Sequence, residues 1–123
     1  MKWFYLVFGG ILGTVARYVL GGAVQRFAGA TFPWGTLCIN LLGCFLIGLF
    51  AALSDKKFFF DTNMRIFLMI GFCGAFTTFS TFMLETANLL KDSEFWPALI
   101  NVLASVVAGF LVFRLGVIIG EVL

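Results

Sequence analysis

The sequence predicts an all-α integral membrane protein of four transmembrane helices, the third of them broken at mid-membrane. Three observations carry this. Of the 123 residues, 62% are hydrophobic and 11% are charged, and the mean hydropathy is +1.09. A soluble domain of this size carries far more charge. The few charges are also clustered: none lies between Arg26 and Asp55, between Arg65 and Glu85, or between Glu94 and Arg114. Each gap holds a segment of about 20 residues, the length that crosses a hydrocarbon core. Lastly, the uncharged run from Ile66 to Leu84 is centred on Gly71-Phe72-Cys73-Gly74-Ala75-Phe76-Thr77-Thr78-Phe79-Ser80-Thr81-Phe82. Glycine and hydroxyls make poor material for an unbroken membrane helix, and exposed backbone groups in lipid cost several kcal/mol each.

The first span, about 3–22, needs the most argument. Trp3 to Ala16 supplies only fourteen uncharged residues, so a crossing must run on to about Gly22 with Arg17 inside it. A signal peptide fits poorly, since a lone Lys2 precedes the apolar run and no Ala-x-Ala site precedes a soluble domain. Thr31-Phe32-Pro33-Trp34-Gly35 then leads into the second span, 33–53, with Pro33 suited to a first helical turn. Ser54 to Asn63 forms a polar loop hinged around Phe58-Phe59-Phe60 before the third span, 65–90. Asp92-Ser93-Glu94 is the short connection to the fourth, 95–120. Short loops imply antiparallel neighbours, hence a single four-helix domain over residues 1–123.

Composition excludes several function classes. A net charge of +2 is too small to suggest nucleic-acid binding. The absence of histidine removes the usual transition-metal ligand and proton shuttle. Cys38, Cys44 and Cys73 all fall within spans, an odd count that reads as small apolar filling rather than a disulfide framework. With both termini on one side, that side holds Lys2, Lys56, Lys57, Arg65 and Arg114, against Arg17, Arg26 and Lys91 on the other. Five against three is a weak bias, compatible with insertion in both orientations as well as with one fixed orientation.

Four helices leave no room for a wide aqueous pore. Gly9 with Gly13, and Gly116 with Gly120, are small-xxx-small pairs that let helices approach closely. Some serve packing within the subunit. A transport path is more easily built between two copies, which predicts a homodimer. Oppositely oriented copies would place its two-fold axis in the membrane plane.

The polar residues at membrane depth carry the remaining information. Thr36 and Asn40 share a face of the second helix, extended by a groove at Gly43. In the fourth helix Asn101, Ser105 and Gly109 form a similar stripe. Each stripe alone reads as interhelical hydrogen bonding. Together they are consistent with a lined path. Phe79 and Phe82 share a face and interleave with Thr77, Thr78, Ser80 and Thr81. Aromatic rings have positive edges, so these two could solvate an anion with donors from Asn40, Ser80 and Thr81. At the break, unwound carbonyls of Gly74 and Thr77 could coordinate a hard cation. Thr77 or Thr78 is suited to cap the second half-helix, whose positive end favours an anion. A tolerated glycine kink remains the alternative. Arg17 either serves a function at depth or snorkels to the interface. Glu85, one turn beyond Phe82, either lines the mouth of a path or marks the water boundary.

These residues resemble a specific family along essentially the whole chain. Gly13-Thr14-Val15-Ala16-Arg17-Tyr18 is similar to a first-helix motif of the Fluc (CrcB) family of small fluoride channels. Pro33-Trp34-Gly35-Thr36-Leu37 with Asn40 and Gly43-Cys44-Phe45 is similar to its second-helix motif. Gly71-Phe72-Cys73-Gly74 with Thr77-Thr78-Phe79-Ser80-Thr81-Phe82 is similar to its signature in the broken third helix. The chain departs at Ala75-Phe76, where Gly-Leu is common, beside the break.

The resemblance implies an antiparallel, dual-topology homodimer in the cell (inner) membrane that exports fluoride passively and so confers fluoride resistance. It implies a structural Na⁺ at the dimer centre, held by the backbone carbonyls of Gly74 and Thr77 from both subunits. It implies Phe79 and Phe82 as the phenylalanines contacting the anion and Asn40 as the pore amide. Ser80 and Thr81 would form a polar track, with Ser105 near the vestibule and Thr36 beside Asn40 on the pathway. Arg17 and Glu85 stay structural or vestibule residues. The competing expectation is a proton-coupled exporter resembling small multidrug resistance transporters. Those depend on a buried glutamate in the first helix, where this chain has Arg17 and no acid. No catalytic cluster is evident, so an enzyme is not expected.

Overall fold

The computed structural model describes residues 1–29, 31–56 and 60–123. All regular structure among them is helical. Four helices are long and apolar enough to cross a membrane: α1 (Lys2–Ala28), α2 (Trp34–Ser54), α3 (Thr62–Lys91) and α4 (Phe95–Val122). Lys57, counted above in the charge bias, and the Phe58-Phe59 part of the second-loop hinge lie outside the described residues.

Helix α1 runs six residues past the expected end at Gly22, since Gly21-Gly22 is followed by the helix-compatible Ala23 to Ala28. It stops at Gly29, whose φ of 110° only glycine adopts cheaply and whose N–H bonds the Gln25 carbonyl. Gln25 also ties the connection to α2: its side chain donates to the Phe32 carbonyl (2.9 Å) and accepts from Gly35 N–H (2.9 Å). Pro33 stands just before α2 rather than as its first residue. Helix α3 is capped by Asp61, whose carboxylate accepts the Met64 N–H at 2.8 Å, satisfying one of the orphan amides of a helix start. Asp92 to Glu94 turns the chain into α4 through Ser93 at φ 61°.

Two stretches widen into π-type turns, Ile66–Cys73 in α3 and Ala104–Ala108 in α4. Such turns recur at functional sites, and the second carries Ser105.

Glycines set the packing. A Cβ at Gly9 or Gly13 of α1 would collide with the carbonyl oxygens of Phe67 or Phe72 in α3. A Cβ at Gly116 of α4 would collide with the Phe45 carbonyl in α2, and one at Gly48 of α2 with that of Phe113 in α4. Gly120 approaches Leu49 and Ala52 in the same way. Both small-xxx-small pairs therefore pack inside the subunit. α1 lies against the first half of α3, α2 against residues 109–122 of α4, and the second half of α3 leans on Phe95–Leu103 of α4. Many large apolar side chains of α1 and α4, such as Ile11, Val15, Phe110 and Ile118, remain exposed, as helices facing hydrocarbon or another helix require.

This predicts a contrast between neighbours. Gly13→Ala should lower stability by about 1–3 kcal/mol through overpacking against backbone. Gly10→Ala, with open space around it, should be neutral. Thermal unfolding in detergent measures both.

Candidate functional site

Helix α3 leaves the helical conformation at two residues, Thr77 (φ −92°, ψ 158°) and Thr78 (φ −150°, ψ 123°). The break is narrower than the glycine-rich run suggests. Gly74, expected to be unwound, stays helical in Gly74–Phe76; glycine permits a break but does not force one. Thr78 caps the second half, Phe79–Lys91, by accepting the Thr81 N–H at 3.2 Å.

A broken helix strands carbonyls and amides that must find other partners. Side chains from two other helices meet this need, while Thr77 Oγ1 adds a second bond (2.9 Å) to the Cys73 carbonyl that the Thr77 N–H already holds. Asn40 of α2 engages both polar groups of Thr78: Oδ1 accepts its N–H (2.9 Å) and Nδ2 donates to its carbonyl (3.1 Å). Arg17 of α1 donates from Nε to the Ala75 carbonyl at 3.0 Å, placing a cation at the negative end of the first half-helix. Arg17 is thus engaged at the break and does not reach away to an interface.

The same bonds free two carbonyls. The Thr78 amide, the regular partner of the Gly74 carbonyl, is taken by Asn40. The Thr81 amide, the regular partner of the Thr77 carbonyl, is taken by Thr78 Oγ1. Hard acceptors of this kind suit a cation with oxygen ligands. No cluster of three or more His, Cys, Asp or Glu side chains that could hold a metal occurs among the described residues.

Two cavities meet at Thr78. The smaller, about 370 Å³, is lined by Asn40, Gly74, Thr77, Phe79, Phe82 and Ser105 among others, and no charged side chain lines it among the described residues. The rings of Phe79 and Phe82 stand 5.7 Å apart at 60°. Phe82 is 5% exposed and Phe79 is 73% exposed. Ser105 Oγ is buried without a hydrogen-bond partner. The larger cavity, about 740 Å³, is lined by Arg17, Gln25, Arg26, Thr36, Thr81 and Glu85 among others. There Thr36 Oγ1 donates to Glu85 Oε2 at 3.0 Å, while Oε1 is buried and unpaired.

The structure therefore divides the expected site residues. Asn40, Gly74, Thr77, Phe79, Phe82 and Ser105 come together in one cavity. Arg17, Thr36, Thr81 and Glu85 line the other. Ser80 lines neither; it is exposed, its hydroxyl 3.5 Å from that of Thr78. Asn101 is turned to Thr86 rather than to the Ser105 cavity. Sequence reasoning passed over Gln25 and Thr86, which carry no signal beyond being polar residues on helices.

A family model described as CrcB-like protein, Camphor Resistance (CrcB), matches residues 4–117. The chain belongs to this family. A relative in Geobacter sulfurreducens named fluoride-specific ion channel FluC is 53% identical over 97 residues, covering 79% of this chain and 78% of that one. One of the same name in Magnetococcus marinus is 43% identical over 119 residues, 97% of each chain. A third, in Desulforapulum autotrophicum, is 38% identical over 122 residues, 99% of this chain and 98% of that one. With four spanning helices, this family member is a multi-pass membrane protein of the cell membrane.

Proposed function

We propose that this chain is a fluoride-specific ion channel, not an enzyme, that lets fluoride leave the cell passively and so confers fluoride resistance. The observation that carries the reading is its near full-length likeness to proteins named for that function. The geometry supports it. Fluoride is small and strongly hydrated, so dehydration is its main barrier. Donors must replace water without holding the ion too tightly. The smaller cavity is lined by Phe79 and Phe82, whose rings have positive edges, by Ser105 and by Asn40, with no charged side chain among the described residues to trap the ion. Nδ2 of Asn40 has a second hydrogen beyond the one given to Thr78. Passive exit follows the membrane potential, since a negative interior drives anions out.

The working unit is an antiparallel homodimer of single four-helix domains, with the Thr77–Thr78 break at mid-membrane. Support comes from the weak charge bias, the small bundle and the open space at Gly74. The two freed carbonyls of Gly74 and Thr77 fit a structural Na⁺, held with the same pair from a second copy. When bound, it supplies a fixed positive charge between the subunits. Thr81 and Ser80 continue the polar track beyond the ring pair, and Thr36, Glu85 and Arg17 belong to the wider mouth.

Purified protein in liposomes should release fluoride rapidly, retain chloride and need no pH gradient. Release that depends on a proton gradient would instead support a coupled exporter. Phe82→Ile or Phe79→Ile should each reduce flux about tenfold or more, the equivalent of one lost edge contact, with the dimer intact on size exclusion. Wild-type flux in both would sink the ring-edge assignment. If exhaustive Na⁺ removal, verified by elemental analysis, left dimer stability unchanged, the cation site would have no support.

A further inference from the structure

Among the described residues, Asn101 is the buried polar side chain, 1% exposed. A buried amide must be bonded. Its Nδ2 donates to Thr86 Oγ1 at 3.0 Å, and that hydroxyl donates to the Phe82 carbonyl at 2.8 Å. A threonine hydroxyl has one hydrogen. Given to Phe82, it leaves the oxygen to accept from Asn101, so the relay runs in one direction, from α4 to Phe82.

The relay joins a residue that lines the smaller cavity, Phe82, to one that stands behind it, Asn101. Asn101 lies three residues before the wide turn Ala104–Ala108, which carries Ser105. Phe82 and Ser105 line the cavity from different helices. A threonine hydroxyl bonding four residues back is a bond of the kind that often bends a helix, and here it acts on the backbone of the residue whose ring lines the cavity. That ring is packed, so it follows its backbone.

We propose that Asn101 and Thr86 are positioning residues that set the Phe82 ring edge opposite Ser105. The relay rests on the fluoride-channel reading for its consequence, but its geometry can be tested apart from flux. Truncating Thr86 leaves the buried Asn101 amide without that acceptor, and truncating Asn101 leaves the Thr86 hydroxyl held by Phe82 alone. Both act through one chain of bonds, so their effects should not add.

The test uses full-length channel with 4-fluorophenylalanine incorporated at Phe82, followed by fluorine NMR and by efflux normalised to folded protein. Thr86→Val and Asn101→Leu should each shift the fluorine resonance. Each should also cut fluoride flux about tenfold, with weaker preference over chloride. The double variant should be no worse than the poorer single one, and Thr86→Ser, which keeps the hydroxyl, should match the unmodified channel. An unchanged resonance in Thr86→Val, additive losses, or a Thr86→Ser variant as impaired as Thr86→Val would each overturn the relay. Should Asn101→Leu not fold, the comparison of Thr86→Ser with Thr86→Val decides alone. If the unmodified channel passes no fluoride, the channel reading falls, and the resonance still decides the relay.

Discussion

Replacing Asn40 with aspartate is expected to cut fluoride flux by about a hundredfold, the scale of loss when a functional geometry shifts by an ångström. Asn40 is matched to Thr78 by having one acceptor and one donor, bonded to the N–H and the carbonyl of the same residue. Aspartate keeps the acceptor but sets a second oxygen against the Thr78 carbonyl. Asn40→Leu removes both bonds and strands two backbone groups, at about 1–3 kcal/mol each. The break then closes toward a regular helix, in which the Thr78 amide returns to Gly74. That change reclaims the Gly74 carbonyl and moves Phe79 and Phe82 relative to α2. Asn40→Asp should therefore fold with modest loss of stability yet conduct poorly. Asn40→Leu should lose both. Proteoliposome efflux beside thermal unfolding separates the two effects. Near-normal flux in Asn40→Asp would show that the donor to the Thr78 carbonyl is dispensable.

Much of the fold was legible because bilayer physics leaves few choices. Charge gaps located three spans. Gly9, Gly13, Gly116 and Gly120 marked contacts that proved to lie within the subunit. α1 runs six residues beyond the expected end, because that end was set by the length that crosses a bilayer, whereas the helix continues past its packing against Gly35 of α2, where a Cβ would meet the Gly21 carbonyl. The start of the second half of α3 was legible in its threonines, but the N-terminal edge of the break was not. Gly71 and Gly74 stay helical, while the chain turns at Thr77 and Thr78, and Thr78 caps the second half as its hydroxyl suggested. Asn101 illustrates what periodicity cannot reach. Its spacing from Ser105 suggested a shared face, but the wide turn Ala104–Ala108 intervenes. Whether its amide met a cavity or Thr86 depended on a neighbouring helix brought there by tertiary packing.

Arg17→Met is expected to destabilise the protein by about 2–4 kcal/mol, combining a hydrogen bond from a charged donor with the favourable placement of a cation at a helix C-terminus. The Ala75 carbonyl would ordinarily bond the amide of Phe79, but the chain has turned away at Thr77 and Thr78. Arg17 fills that vacancy from α1, which Gly9 and Gly13 hold tightly against α3. The bond uses Nε at 3.0 Å. A lysine keeps the charge but has no Nε and presents a compact, strongly hydrated ammonium. Arg17→Lys should therefore recover the dipole contribution of about 0.3–1 kcal/mol and little more. Flux should follow the same order, since an unsatisfied Ala75 carbonyl loosens the turn that orients Thr77. Thermal unfolding and efflux of the three proteins provide the ranking. Equal stability and flux in Arg17→Met would mean that the side chain contributes nothing at the break and belongs with residues that only reach for the interface.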